Sequence, residues 1–147
     1  MQVLFAIARV LLVLVFIVAG GRKLLDLQAA AGSIEKVLVI PTMANDLVTQ
    51  VQDATGQKIS YLLALLAGVV EVVGGLLIAF NIGTRGAAAI LAIFTLVATY
   101  YFHAFWNMTG EAMQANMDQA LKNFSIVGGL LTLVALGAWR PVRPDQI

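Results

Sequence analysis

The chain contains no cysteine and a single histidine. Without cysteine it can form no disulfide and perform no thiol exchange itself, so a thiol-redox system that used it would need sulfur on another subunit. With one histidine, soft-metal binding would fall to Met108, Met113 and Met117, whose spacing equally fits one apolar face of a short helix. Charge is scarce as well. Asp, Glu, Lys and Arg make up 12% of the 147 residues and balance to +1, where an average soluble domain has about 25% charged residues. Such a balance points neither to nucleic acid nor to an acidic partner. No phosphate loop, nucleophile triad, haem motif or zinc spacing is present, so nothing nominates an autonomous enzyme.

Apolar residues fill the space instead. They reach 61%, above the about 45–50% of a typical domain, and the length suits one domain spanning residues 1–147. Four runs, Val3–Leu25, Ile59–Ile82, Ala87–Trp106 and Gln119–Trp139, are near the about 20 residues a crossing needs. The expected fold is therefore all-α, a polytopic four-helix bundle in a lipid bilayer. Turn and charge signals bound the runs: Gly20-Gly21-Arg22-Lys23, Gly83-Thr84-Arg85-Gly86, Asn107-Met108-Thr109-Gly110 and Arg140-Pro141. The apolar start at Val3 lacks a basic leader, Arg9 interrupts it, and Val18-Ala19-Gly20-Gly21 is a poor cleavage site. The first helix is thus expected to be retained.

Four crossings put both termini on one side and the segment Asp26–Lys58 on the other. That segment is long for a bundle connection. Pro41 can start a short helix there, and Met43, Leu47, Val48 and Val51 recur opposite Asn45, Asp46, Gln50 and Gln52. This predicts an amphipathic helix at the interface or over the bundle mouth, with a solvated loop as the alternative. Counting cations favours a cytoplasmic long loop. Several of those cations belong to a candidate site and are set aside, and the expectation carried forward is cytoplasmic termini.

Val73-Gly74-Gly75-Leu76-Leu77 with Gly83 repeats, at one offset, as Val127-Gly128-Gly129-Leu130-Leu131 with Gly137. A duplicated helical hairpin would give this pattern. So would small residues used for helix contacts, within one chain or between copies in a homo-oligomer.

Glu71 is the residue hardest to dismiss. It interrupts the second apolar run, where an ionised carboxylate costs roughly 3 kcal/mol. It needs a partner, must stay protonated, or touches a ligand. At about 1.5 Å rise per residue, Lys23, His103, Lys122 and Asn123 lie roughly 24–30 Å from the terminal side, Glu71 roughly 16 Å, and Arg9 about 9 Å. Lys23, His103 and Lys122 would then collar Glu71 from above, and Tyr100, Tyr101, Phe105, Trp106 and Phe124 add aromatic surface. Convergent polar groups in an apolar cavity suit a small ligand, and aromatics with His or Lys donors suit a quinone. The plainer readings are an aromatic belt, snorkelling lysines, a helix-end histidine, and an Arg9 that snorkels or pairs with Glu71.

Ala19-Gly20 with Lys23-Leu24, then Glu71-Val72-Val73-Gly74-Gly75-Leu76 with Gly83-Thr84-Arg85, open a series of motifs. Ala98-Thr99 with Phe102-His103-Ala104-Phe105-Trp106, and Lys122-Asn123-Phe124-Ser125-Ile126-Val127-Gly128-Gly129-Leu130-Leu131, complete it. In this order and spacing the chain resembles the DoxX family of small four-helix membrane proteins. The resemblance implies a bacterial inner (plasma) membrane protein tied to redox or oxidative-stress functions, either as a subunit of a quinone-linked oxidoreductase or as the membrane partner of a soluble redox enzyme. Its pattern falls on Lys23, Glu71, His103, Lys122 and Asn123, and Trp106 joins them as a candidate ligand contact. The competing class is a small-solute or proton carrier, or a purely structural bundle.

Overall fold

Residues 2–137 are described by the structure, a computed structural model; the expected end of the fourth helix at Trp139 and the stop signal Arg140-Pro141 lie outside them. Among the described residues there are six α-helices: α1 (Gln2–Leu25), α2 (Leu27–Glu35), α3 (Asn45–Thr55), α4 (Ile59–Ala79), α5 (Thr84–Phe102) and α6 (Gly110–Leu136). Four of them, α1, α4, α5 and α6, are long and apolar enough to cross a membrane. The protein is an all-α polytopic bundle in a bilayer.

The helix ends follow local chemistry and shift several expected bounds. α4 stops at Ala79, before Ile82, because Asn81 turns left-handed (φ 62°). Ile82 N–H then donates to Leu77 O and Asn81 N–H to Ile78 O, the paired closure that satisfies a helix's last carbonyls. α5 begins at Thr84, whose hydroxyl donates to Asn81 Oδ1. It ends at Phe102, so Trp106 sits in a separate 3-10 turn, Phe105–Asn107. α6 starts at Gly110, well before Gln119. Its 27 residues rise about 40 Å, more than a hydrocarbon core of about 30 Å, so its polar first turns stand outside the membrane.

The long segment after α1 is more ordered than a loop with one helix. Asp26 accepts from Ala29 N–H and so caps α2, which packs on α4 and α1 and buries Ala31. α3 is the expected amphipathic helix. It ends at Gly56 (φ 65°), and Gln52 Oε1 accepts from Ile59 N–H, tying it to the start of α4.

In the bundle, α1 pairs with α4 and α5 with α6; α4 and α5 join the pairs, while α1 meets α6 only briefly. Small residues permit these approaches. A Cβ on Gly74 would press on Leu91 of α5, on Gly75 against Ile17 of α1, and on Gly129 against Leu12 of α1. Three of the four glycines in the two Gly-Gly pairs are therefore used inside the chain, and of those four only Gly128 meets open space. Val13, Ile78, Leu91 and Leu130 are fully enclosed at the centre. The outer faces expose Leu11, Leu66, Ile93 and Leu131, as hydrocarbon contact allows.

Candidate functional site

The site begins with two glycines. A Cβ on Gly20 would stand 2.8 Å from both Glu71 Cβ and Gly68 O, and one on Gly68 would stand 2.7 Å from Leu24. The backbones of α1 and α4 thus cross closely here, which places Gly20 level with Glu71 and Lys23 about one turn above. Side chains lean toward the N-terminus of their own helix. Because α1 and α4 are antiparallel, Lys23 leans down and Glu71 leans up. Lys23 Nζ donates to Glu71 Oε2 at 2.7 Å. The carboxylate side chain is 7% exposed and the lysine 32%, so the pair has a sealed end and an open one.

α5 and α6 bring polar groups to the same depth. Counting turns from Gly74 against Leu91 puts Glu71 near Thr95, and counting from Gly129 against Leu12 puts Asn123 near Ala19, within about one turn of Gly20. Asn123 Nδ2 donates to Thr99 Oγ1 at 2.9 Å. Thr99 and Thr95 are buried, and their hydroxyls donate to Thr95 O and Leu91 O, each at 2.7 Å. All four crossing helices therefore contribute a polar side chain to one layer. The sequence reading had not placed Thr95 or Thr99 in the site. Their spacing of four on an apolar helix was a signal for both, and Thr99 also lies in the Ala98-Thr99 motif of the family resemblance.

His103 sits one turn above Thr99 at the end of α5, with its Nδ1 3.1 Å from Asn116 Oδ1. Asn116 itself donates to Ala112 O. Two candidates stand apart. Lys122 is exposed and donates to Gln119 Oε1. Trp106 is half exposed and packs with Tyr100 and Phe105 in an outward-facing aromatic cluster, as an interfacial belt would. Phe124 also faces outward. Arg9 is not the partner of Glu71: its guanidinium lies over the Phe5 ring, 5.6 Å from the centroid, with Nε buried and unpaired among the described residues. Among those residues no three His, Asp or Glu side chains come together to hold a metal ion.

Below the polar layer the interior changes character. Val13, Ile78, Ala88, Leu91, Leu130 and Leu133 fill the half nearer the termini. The layer is thus floored by packed hydrocarbon and opens toward the long-loop side, where Lys23 and His103 are partly exposed.

Comparison with known proteins returns a consistent picture. The family model described as DoxX matches residues 4–104. The chain is 33% identical over 135 residues to the inner membrane protein YphA of Escherichia coli (strain K12), across 92% of this chain and 84% of that protein. No solved structure matches the chain.

Proposed function

The chain belongs to the DoxX family, and from that premise we propose that it acts in the bacterial inner membrane as a single-domain subunit or anchor of a redox system. In this reading it holds a small lipophilic molecule with a carbonyl-bearing head, of the quinone type, and receives a soluble redox enzyme on the long-loop side. The observation that carries the reading is the ion pair of buried Glu71 with half-exposed Lys23, set level with Asn123 and Thr99. A bundle held by packing alone has no need of it. Replacing such a pair by hydrocarbon is often neutral or stabilising.

The donor set suits a carbonyl head. Lys23 Nζ has three N–H groups and gives one to Glu71. Asn123 has a second amide N–H beside the one directed at Thr99, and His103 keeps Nε2 beyond its contact with Asn116. These groups would orient the head, and His103 would exchange protons with the open side. The aromatic rings do not join this donor set, because Tyr100 and Trp106 face outward. They would meet the tail of such a molecule, or the lipid, at the rim. A bound quinone would supply the electron acceptor, and the electrons would come from the partner enzyme.

The apolar floor favours a binding site over a carrier. Passage of a proton or solute needs polar groups through the full depth, and between the layer and the terminal side Val13, Ile78, Ala88, Leu91 and Leu130 are apolar; the buried polar groups of that half, Thr84 and Arg9 Nε, lie beyond them. The test is mass spectrometry of the lipophilic molecules that copurify with wild type, Glu71→Gln and Asn123→Leu from respiring cells. A stoichiometric quinone in the wild type, lost from both folded variants, is the expected result. Wild-type protein that carries none, and that binds none on titration, overturns the reading.

A further inference from the structure

The apolar flank of α3 has no protein partner among the described residues. Projected at about 100° per residue, Leu47, Val51 and Ala54 share one flank, Val48 and Gln52 occupy the next, and Asn45, Asp46, Thr49 and Asp53 take the rest. The flank with Val48 and Gln52 is partly buried toward the bundle. Leu47 is 65% and Val51 40% exposed, and Met43, in the turn just before the helix, is 89% exposed. The apolar arc is thus wider than the face the bundle covers.

Depth says what covers the remainder. α3 ends at Thr55 and the first crossing residue of α4 is Ile59, with only Gly56, Gln57 and Lys58 between. The Gln52 to Ile59 hydrogen bond fixes α3 against that entry point, so the helix sits where the bilayer surface meets the bundle. A helix lying there has three surroundings: the bundle beside it, acyl chains below and water above. Its three flanks match them. A helix capping the bundle mouth from the water side would instead leave Leu47 and Met43 in solvent.

We propose that α3 is an in-plane helix whose Met43–Leu47–Val51 flank is seated in the lipid surface of the long-loop leaflet. Its occupant is the acyl-chain boundary of neutral lipid, because α3 carries Asp46 and Asp53 and no cation. Seating therefore rests on apolar burial, without attraction to anionic headgroups. It anchors the segment that leads into α4 and so holds the open end of the polar layer at the membrane surface.

The test uses the absence of native cysteine, which makes an introduced one unique. Leu47→Cys and Thr49→Cys, both exposed, are spin-labelled in the full chain and reconstituted into nanodiscs of neutral or mixed anionic lipid. Collision with oxygen and with a water-soluble nickel chelate is then compared. A several-fold excess of oxygen over nickel at position 47, reversed at 49 and equal in both lipids, is expected. Free access of nickel to position 47 overturns the proposal and leaves a solvated helix. Shielding of 47 from both probes overturns it in favour of a protein partner.

Discussion

Gly20 and Gly68 stand backbone to backbone, and Lys23 reaches Glu71 because they do. A side chain on either glycine would enter the space of the other helix, Glu71 Cβ and Gly68 O in one case and Leu24 in the other. Gly20→Leu should therefore push α1 from α4. Overpacking costs about 1–3 kcal/mol in a well-packed core, and here a backbone oxygen cannot move aside as a side chain would. Thermal unfolding in detergent should show a clear loss for Gly20→Leu and almost none for Gly128→Ala, whose Cβ meets open space. Equal midpoints for the two would mean that the helices do not approach this closely.

The pair itself should respond asymmetrically. Lys23→Met strands a buried carboxylate, whereas Glu71→Gln leaves an ammonium that is already 32% exposed and can turn to water. Removing one partner of a buried pair costs about 3–5 kcal/mol; Lys23→Met should approach the lower figure and Glu71→Gln should fall well short of it. The double variant Lys23→Met/Glu71→Leu should recover much of the loss. A double variant no more stable than Lys23→Met alone would contradict an interaction between the two.

How legible this arrangement was depends on the residue. Helix rise put Lys23 and Asn123 in the same half of the membrane, but it set Glu71 roughly 8–14 Å below the collar and His103 level with Asn123. The crossing at Gly20 brings Glu71 to about one turn from Lys23, and His103 lies beside Asn116, about two turns above Asn123. The partner of Glu71 did not follow. By count Arg9 lay nearer to Glu71 than Lys23 did, and the pairing with Lys23 rests on the level at which α1 crosses α4 and on the antiparallel lean of the side chains, both of which need the neighbouring helix. Lys122 and Asn123 are adjacent in sequence and equal in depth, yet about 100° of rotation turns Lys122 to the outside. The cap at Asp26 was readable and would have announced α2, whereas the start of α6 was hidden because hydropathy marks the edge of the membrane and not of the helix.

Between α5 and α6, the contact of Asn123 with Thr99 should matter less for stability than for the site. Interhelical hydrogen bonds in membranes contribute about 0.6–2 kcal/mol. Asn123→Leu should unfold only slightly earlier than wild type. Thr99→Val removes the acceptor of that bond together with the hydroxyl's own donation to Thr95 O, so adding Asn123→Leu to it should cost little more, since the Asn123–Thr99 bond is lost once. Full additivity of the two changes would show that Asn123 and Thr99 act separately.

The last prediction separates a one-sided site from a path across the membrane. A single cysteine at Asn123 lies in the polar layer, and one at Ala88 lies in the enclosed half, 0% exposed. A membrane-impermeant maleimide should react with Asn123→Cys in sealed vesicles of one orientation only, and with Ala88→Cys in neither. A single cysteine at Glu35, exposed on the long-loop side, reports which orientation that is. If the termini are cytoplasmic, as expected from the sequence, Glu35→Cys and Asn123→Cys will both be labelled from outside intact cells. Labelling of Asn123→Cys from both faces would require the packing of Val13, Ile78, Leu91 and Leu130 to open, and a carrier would then replace the binding subunit. Reaction from the loop side alone would keep the apolar floor intact and confine the chemistry of Lys23, Glu71 and His103 to molecules arriving from that side or from the bilayer.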